Sequence, residues 1–332
     1  MTLREAAFYE KLDNGAVRCV LCPHNCVIKS DSHGICGVRT NKSGVLTTGI
    51  YGRLTAIAMD PIEKKPLYHF HPGSRILSIG TKGCNMKCPY CQNWNISQNT
   101  SAHTTCHSPE DIVELAVNEG SIGIAYTYSE PSIWYEYVYD TAVLAGKKGL
   151  ANVLVTNGFI NPEPLDRLLD HVDALNIDLK TFREDTYRKV QKARLGPVLE
   201  TIINAHRRGS HVEITTLIVT GMNDDIDEMR DIMGFISGLD RKIPWHISRY
   251  YPNYEYVAPE TDIGFMVQVR EEAEKRLDFV YCGNVPSAAE GQHTRCPSCG
   301  ATVLARSGYL TRIQGLDGGR CSSCGFDIGV IR

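Results

Sequence analysis

The chain has 332 residues and a mass of 36.9 kDa, enough for one large domain with small additions. Hydrophobic residues make up 42% and charged residues 22%, and the net charge of −3 argues against a strongly basic nucleic-acid-binding domain. Thirteen cysteines, with neither an export signal nor a membrane-spanning run of about 20 apolar residues, favour metal binding in a cytoplasmic protein over a disulfide framework.

Residues 1–74 are predicted to form an irregular N-terminal region with short strands such as LTAIAMD. Four cysteines there, which we call the N-terminal quartet, follow the spacing C-x2-C-x3-C-x9-C: Cys19, Cys22, Cys26 and Cys36. This spacing favours a metal ion or an iron–sulfur cluster, and Pro23 and Gly37 suit tight turns around one. His24 is a further possible ligand. The alternative is a cysteine-rich loop without a metal.

A second cluster follows the predicted strand RILSIG and has three cysteines: Cys84, Cys88 and Cys91, the cysteine triad. The spacing C-x3-C-x2-C offers three thiolates to a [4Fe–4S] cluster and leaves one iron open, and an open position is where chemistry takes place. That iron can chelate the amino and carboxylate groups of S-adenosylmethionine. An electron from the reduced cluster then releases a 5′-deoxyadenosyl radical. The alternative is a three-cysteine zinc site completed by a distant histidine.

From Arg75 onward, short apolar strands alternate with amphipathic helices, a pattern that predicts a parallel sheet. Six strand–helix units and a final short strand predict an α/β fold, a partial (β/α)6 barrel over residues 75–290. The predicted strands are RILSIG, IGIAYTY, ANVLVTN, VDALNIDLK, HVEITTLIV, PWHISRY and DFVYCGN. In such barrels the chemistry lies at the carboxyl ends of the strands.

Residues 291–332 contain C-x2-C-G twice, and the four cysteines form the C-terminal quartet: Cys296, Cys299, Cys321 and Cys324. Four thiolates form a closed tetrahedral site, so we predict a structural Zn²⁺ or iron in a zinc-ribbon or rubredoxin-like module. The intervening VLARSGYLTRIQ is expected to form a small hairpin. The alternative is four unrelated surface thiols.

The triad sequence CNMKCPYC resembles the signature of the radical SAM superfamily. The longer run PIEKKPLYHFHPGSRILSIGTKGCNMKCPYCQNW resembles the radical SAM component of the AmmeMemoRadiSam system, which is related to pyruvate formate-lyase activating enzymes. The resemblance extends from LCPHNC to CSSCG. It implies the partial barrel, a [4Fe–4S] cluster on the triad, S-adenosylmethionine as cofactor and a cofactor contact at Tyr90.

The resemblance also implies cofactor contacts at the ends of the second and third strands. Radical SAM enzymes usually carry Gly-Gly-Glu-Pro after the second strand; here Glu130 and Pro131 are kept, but both glycines are replaced. A carboxylate facing the cofactor's ammonium is chemically reasonable, and capping of the next helix by Glu130 is the alternative. After the third strand, Asn157 can donate and accept hydrogen bonds in place of the acidic residue often found at Val155. An Asn-Gly turn is the alternative there.

Two later strands supply three more candidates. Asp178 and Lys180 share one face of the fourth strand, and the activating enzymes carry the same Asp-x-Lys near the methionine moiety; a structural ion pair is the alternative. The resemblance places His246 beside the cofactor, whereas a lone histidine in an apolar strand is by default a core residue. Cys106 and Cys282 are interpreted as small apolar residues, with hydrogen-atom donation by a thiol as the alternative.

These patterns predict a radical SAM oxidoreductase that abstracts a hydrogen atom from an unidentified substrate. The alternatives are an activating enzyme for a glycyl radical enzyme and a non-catalytic zinc-binding scaffold. The radical SAM oxidoreductase and the activating enzyme both need a reductant such as flavodoxin or ferredoxin. The resemblance further implies Memo-like and AMMECR-like partner proteins. The sequence shows no strong nucleic-acid or membrane signal.

Overall fold

The computed structural model describes residues 3–286 and 291–332. The predicted domain boundary after residue 290 therefore adjoins residues 287–290, which lie outside the described ranges. Near the N-terminus, short antiparallel strands form two small sheets, β1-β6-β5 and β2-β3-β4, while β7 pairs elsewhere. These strands are β1 (Arg4–Glu5), β2 (Tyr9–Lys11), β3 (Val17–Cys19), β4 (Val27–Ile28), β5 (Arg39–Lys42), β6 (Val45–Thr48) and β7 (Arg53–Leu54).

Within residues 56–283, one eight-stranded sheet has the order β8-β9-β11-β12-β13-β14-β15-β16. Its strands, with β10 which pairs with β7, are β8 (Ala56–Pro61), β9 (Arg75–Gly80), β10 (Thr105–Cys106), β11 (Gly123–Tyr126), β12 (Ala151–Thr156), β13 (Ala174–Asp178), β14 (His211–Ile218), β15 (Trp245–Arg249) and β16 (Val280–Gly283). Neighbours from β9 to β16 are parallel, which confirms the predicted fold class and all seven predicted strands. The predicted strand LTAIAMD of the N-terminal region is β8, and it joins this sheet antiparallel to β9 rather than staying outside the barrel.

The described helices lie between these strands, and the six longer ones each bury apolar residues. They are α1 (Trp94–Ser97), α2 (Pro109–Asn118), α3 (Tyr135–Lys147), α4 (Pro162–Leu169), α5 (Glu184–Thr186), α6 (Leu195–Arg207), α7 (Ile226–Leu239) and α8 (Ile263–Ala273). Ser108 and Asp111 form a capping box that starts α2, as its sequence suggests. The sequence PVLETIINAHRRG predicts a helix from Pro197, but α6 begins two residues earlier, because the Glu184 carboxylate accepts the Leu195 amide at 2.8 Å. None of these helices is long and apolar enough to cross a membrane.

Residues 291–332, the C-terminal module, contain β17 (Thr294–Arg295), β18 (Thr302–Ser307), β19 (Leu310–Ile313), β20 (Leu316–Asp317) and β21 (Arg320–Cys321). Strands β18 and β19 form the expected hairpin, and Gly308, with a φ of 57°, occupies its turn. The module shares an apolar core with β16 and its preceding residue Phe279, through Val303, Leu304 and Ile328. The module therefore packs directly on the closing edge of the barrel.

Candidate active site

A cavity of about 740 Å³ opens where the parallel strands end, a volume typical of small-molecule sites. All nine residues predicted to hold the catalytic cluster or contact the cofactor line this cavity: Cys84, Cys88, Tyr90, Cys91, Glu130, Asn157, Asp178, Lys180 and His246. They come from loops and strands that are far apart in the chain. The rule that barrel chemistry gathers at the carboxyl ends of strands therefore locates this cavity.

The cysteine triad lies on a loop that neighbouring elements hold in place. The Cys84 sulfur accepts the Met86 amide at 3.4 Å, and the Cys91 sulfur lies 3.1 Å from the Ser97 hydroxyl. Burial raises the pKa of the Cys88 thiol to about 11, while the nearby Lys180 ammonium opposes that rise. Cluster assembly must therefore remove protons from buried thiols, as metal binding to cysteine generally requires.

Asn85 anchors the triad loop to the rest of the chain. Its side-chain amide donates to the Phe159 carbonyl at 2.8 Å and accepts from Asn157 Nδ2 at 2.9 Å. Its backbone carbonyl accepts from the His24 ring at 2.7 Å, so His24 joins the N-terminal region to this loop. Tyr90 is buried, and its hydroxyl accepts from Gln191 Nε2 at 2.8 Å.

The Glu130 carboxylate is fixed by three donors. One oxygen accepts the Ser132 amide at 3.0 Å and the Thr156 hydroxyl at 2.7 Å, and the other accepts the Asn157 amide at 2.8 Å. Glu130 therefore both caps the helical turn that follows it and lines the cavity. Burial raises the pKa of Glu130 although these amides oppose the rise. A carboxylate offers about four lone pairs, so one acceptor position is left for a cavity ligand.

Asp178 and Lys180 form an ion pair at the cavity wall, with Lys180 Nζ 3.0 Å from the Asp178 carboxylate. Burial lowers the pKa of Lys180, but the Asp178 carboxylate more than offsets this and the net pKa is raised. Lys180 therefore keeps its positive charge. The pair presents both a cation and an anion to the cavity.

His246 is held by a residue that the sequence analysis missed, Glu213 on β14. The His246 ring donates from Nε2 to the Glu213 carboxylate at 2.6 Å. The same carboxylate accepts the His211 ring at 2.9 Å and the backbone amides of Tyr68 and His69 at 3.0 and 2.7 Å. Burial raises the pKa of Glu213, but the two histidines outweigh it and hold the pKa well below its usual range. The sequence signal that could have identified Glu213 is the presence of an acidic residue inside the otherwise apolar strand HVEITTLIV.

A second missed group joins the PIEKKPL segment to the end of β11. Asp60 accepts Lys65 Nζ at 2.7 Å, Lys64 Nζ at 2.9 Å and the Tyr128 hydroxyl. The Lys65 ammonium also lies 4.5 Å from the centre of the Tyr128 ring. Burial lowers the pKa of Lys65 to about 8 despite the Asp60 carboxylate. Tyr128 lines the cavity with both lysines.

Two cysteines outside the clusters differ in their surroundings. Cys282 on β16 is buried and lines the cavity, and burial raises its pKa to about 11. Cys106 on β10 is exposed and is not among the residues described as lining the cavity.

The C-terminal quartet is, among the described residues, the one group of three or more metal-ligating side chains whose donor atoms all lie within 4.8 Å of one another. The sulfurs of Cys296 and Cys324 are 3.5 Å apart, and those of Cys299 and Cys321 are 3.7 Å apart. Zn–S bonds of about 2.3 Å place the sulfurs of a tetrahedral site about 3.8 Å apart. This geometry fits a single Zn²⁺ or iron ion.

The N-terminal quartet is more dispersed, with Cys19 and Cys36 buried and the other two thiols half-buried. The Cys19 amide donates to the Cys26 carbonyl at 2.9 Å, which brings the two ends of the first three-cysteine segment together. Burial raises the pKa of Cys22 to about 12, with smaller contributions from the thiols of Cys19, Cys36 and Cys26. The four thiols therefore lie within electrostatic range of one another.

Comparison with known proteins identifies the family. The radical SAM superfamily profile matches residues 78–236, a range that contains the triad and most of the cavity-lining strands. The chain belongs to the radical SAM superfamily. The predicted superfamily is thus confirmed.

This radical SAM chain is similar along its whole length to an uncharacterized protein of Methanocaldococcus jannaschii, at 45% identity over 336 residues, covering 99% of this chain and 100% of that protein. It is 26% identical over 164 residues to pyruvate formate-lyase 1-activating enzyme of Escherichia coli K12, covering 47% of this chain and 65% of the relative. Among solved structures, Streptococcus suis SuiB bound to S-adenosylmethionine matches with a TM-score of 0.51 and 12% identity, over 63% of this chain and 52% of SuiB. That last match shows a shared fold.

Radical SAM membership implies S-adenosylmethionine and a [4Fe–4S] cluster, and the cavity can be tested for both. Three free thiols share one wall, and Glu130 retains an acceptor position for an ammonium. Ser129 also lines the cavity, and its buried hydroxyl has no hydrogen-bond partner within the described part of the chain. A buried polar atom without a partner is costly, so a polar ligand beside Ser129 would relieve that cost. The residues present fit the cluster and the cofactor.

Proposed function

We propose that this chain cleaves S-adenosylmethionine reductively at a [4Fe–4S] cluster and abstracts a hydrogen atom from a substrate. The observation that carries the proposal is the single cavity shared by the cysteine triad and the six other predicted site residues. When bound, the cluster supplies the electron that converts the cofactor to methionine and a 5′-deoxyadenosyl radical. The protein supplies binding, orientation and exclusion of water.

The chain's residues divide these tasks by their chemistry. Cys84, Cys88 and Cys91 hold the cluster as thiolates. Glu130 accepts the ammonium of the cofactor's methionine moiety, and Lys180, kept charged by Asp178, attracts its carboxylate.

Other side chains orient the cofactor and close the site. Asn157 and His246 are proposed cofactor contacts, and Glu213 orients the His246 ring from behind. Tyr90 supports the triad loop from a buried position. The turn residues Gly308 and Tyr309 of the β18–β19 hairpin also line the cavity, so the C-terminal module forms part of its wall.

The substrate class follows from a weaker observation, the similarity to pyruvate formate-lyase 1-activating enzyme. That relative's name favours an activating-enzyme role, in which the hydrogen atom is taken from a partner protein's glycine. A one-electron donor protein such as flavodoxin or ferredoxin would then reduce the cluster. Memo-like and AMMECR-like proteins and a cytoplasmic location stay predictions.

The test is anaerobic reconstitution with iron and sulfide, followed by dithionite reduction and chromatographic measurement of 5′-deoxyadenosine. We expect the wild-type chain to form 5′-deoxyadenosine and the Cys88→Ala variant to form none. Cys106→Ala is the matched control, because Cys106 is exposed in β10, and it should match wild type. The proposal is overturned if the loaded wild-type protein forms no 5′-deoxyadenosine, or if Cys88→Ala forms as much as the control.

A further inference from the structure

The N-terminal quartet is built by a folded segment. Cys19 ends β3, and its amide bonds to the Cys26 carbonyl just before β4. The Asn25 amide donates to the Cys22 carbonyl at 3.0 Å, which closes the turn between these cysteines. Cys36 enters from the loop before β5, where Gly37 has a φ of 76°. These bonds hold the first three cysteines in one turn, and Cys36 lies close enough to interact electrostatically with Cys19 and Cys22.

Sulfur spacing distinguishes this quartet from the C-terminal one. No three thiols of the N-terminal quartet, all within the described range, lie mutually within 4.8 Å, and the same holds for the cysteine triad. A single tetrahedral ion needs sulfurs about 3.8 Å apart. A cluster of several irons holds its cysteine ligands farther apart, because iron and sulfide atoms lie between them. The N-terminal quartet, like the cysteine triad, therefore lacks the close sulfur spacing of the mononuclear C-terminal site.

A buried guanidinium beside the quartet provides an independent indication of an anionic ligand. Arg39 is 1% exposed, and it pairs with Glu136 at 3.0 Å and donates to the Ala7 carbonyl. Its Nε–H is buried and has no acceptor among the described residues. Arg39 interacts electrostatically with the Cys19 and Cys36 thiols. Thiolate and sulfide sulfurs accept such hydrogen bonds in iron–sulfur proteins, so a cluster there supplies the missing acceptor.

The quartet also borders the active site. Gly83, which precedes Cys84, has a φ of 92°, and a Cβ atom at this position would come within 2.9 Å of the Cys36 carbonyl. The His24 ring, from within the quartet segment, bonds to the Asn85 carbonyl. The two cysteine sites are therefore held by loops in direct contact.

We propose that Cys19, Cys22, Cys26 and Cys36 bind a second iron–sulfur cluster, which lies against the active-site loop and accepts a hydrogen bond from Arg39 Nε. This cluster is additional to the proposed function. Its assembly is measurable whether or not the triad is loaded.

The experiment removes the triad first. A Cys84→Ala/Cys88→Ala/Cys91→Ala variant is reconstituted anaerobically with iron and sulfide, and iron, acid-labile sulfide and zinc are quantified. We expect it to retain acid-labile sulfide, with an equal amount of iron beyond any single ion held by the C-terminal quartet, and to give an electron paramagnetic resonance signal on reduction. Adding Cys26→Ser, at a half-buried position, should abolish the sulfide and the signal, whereas adding Cys106→Ser should change neither. Absence of acid-labile sulfide from the triad variant, or zinc bound in excess of the single ion expected at the C-terminal quartet, overturns the proposal.

The Arg39 contact is tested by the reduction potential of that second cluster. In the triad variant, Arg39→Lys keeps a cation beside Glu136 but removes the Nε–H donor, so the potential should become more negative. Arg18→Lys is the matched control, because Arg18 forms an exposed pair with Glu10 across strands β2 and β3 of the neighbouring small sheet. An unchanged potential refutes the contact. If Arg39→Lys does not fold, hyperfine coupling of the reduced cluster to nitrogen in the triad variant grown with ¹⁵N-labelled arginine provides the same test, and absence of that coupling refutes the contact.

Because the triad variant lacks the active-site cysteines, the test of the second cluster is separate from the test of the proposed function. If the wild-type chain forms no 5′-deoxyadenosine but the triad variant retains the second cluster, only the proposed function is refuted. Formation of 5′-deoxyadenosine by a wild-type chain whose triad variant lacks sulfide would refute only the second cluster.

Discussion

Glu213→Gln replaces one oxygen of a fully buried carboxylate by an amide NH₂ and leaves the shape of the side chain almost unchanged. Each oxygen of Glu213 accepts one backbone amide and one histidine ring: His69 and His211 on one side, Tyr68 and His246 on the other. The new NH₂ must therefore face a backbone N–H that has no other role. The histidine on that side can change tautomer and accept, but the amide cannot.

The magnitude follows from these contacts. One buried N–H left without an acceptor costs about 1–3 kcal/mol. The remaining hydrogen bonds lose their charged acceptor, which weakens each by roughly 1 kcal/mol, while burying a neutral group in place of a charge recovers part of that loss. We expect the free energy of unfolding to fall by about 2–4 kcal/mol. The effect should disappear in acid. Because the folded pKa of Glu213 is lowered, its stabilisation is present above the unfolded value of about 4.3 and is lost as pH falls through the folded pKa.

The assay is urea unfolding of the metal-loaded protein, followed by fluorescence, for wild type and Glu213→Gln between pH 4 and 8. Glu114→Gln is the matched control, because Glu114 is exposed on α2, and it should change stability by less than about 0.5 kcal/mol. The difference between wild type and Glu213→Gln should be constant above pH 5.5 or so and shrink below about 4.3. A loss equal to that of the control at neutral pH, or a gap that widens in acid, would refute the reasoning.

Two further predictions concern the cavity wall. Lys180→Met leaves the Asp178 carboxylate facing the cofactor, so the affinity for S-adenosylmethionine in a binding titration of reconstituted protein should fall about tenfold or more. The control Lys189→Met breaks an equally short but exposed pair with Asp185 and should leave this affinity unchanged. Equal affinities in the two variants would contradict the role of Lys180. Tyr128→Phe removes the hydroxyl bond to Asp60 but keeps the ring under Lys65, so urea unfolding should show a loss of about 1–2 kcal/mol; an unchanged midpoint would show that the bond contributes nothing.

The strands of the barrel could be predicted because they are short apolar runs between amphipathic helices. Strand β8 is also predicted, as LTAIAMD, but its residues are mostly half-buried and show no clean alternation, so its pairing with β9 in the barrel sheet depends on tertiary context. The early start of α6 has a similar cause, since the Glu184 carboxylate that accepts the Leu195 amide comes from an earlier turn. Local patterns therefore located the elements, and distant contacts set their edges.

The residues of the candidate site also divide into those that local sequence patterns predict and those that depend on distant contacts. Eight of its nine predicted residues lie at or after the carboxyl ends of strands, where a parallel sheet gathers chemistry, and His246 lies near the start of β15. Glu213 escaped prediction because its partners, the amides of Tyr68 and His69, lie 145 and 144 residues away in the chain. Asp60 and Tyr128, separated by 68 residues, escaped for the same reason. A spacing rule cannot detect partners that only folding brings together.

One departure from the family pattern has a structural counterpart. Tyr128 stands where radical SAM enzymes usually have glycine, and its φ of 67° is a left-handed conformation that costs a side-chain-bearing residue roughly 1–2 kcal/mol. The ring is held by Asp60 through its hydroxyl and by Lys65 across its face. The charge-assisted hydrogen bond to Asp60 contributes about 1.5–3 kcal/mol. The buried contact between the Lys65 ammonium and the ring contributes up to ~2 kcal/mol. Together these two stabilising energies exceed the energy of the backbone strain.

These stabilising contacts come from the segment around PIEKKPL, outside the signature that defines the family. The same segment continues to Tyr68 and His69, whose amides bond to Glu213 behind His246. It therefore contacts the cavity at two places, beside Tyr128 after β11 and behind His246 near the start of β15. Replacement of the glycine at Tyr128 is thus tolerated because this segment is present. The two sequence features are best understood as one structural unit, in which a strained cavity residue and the segment that restrains it depend on each other.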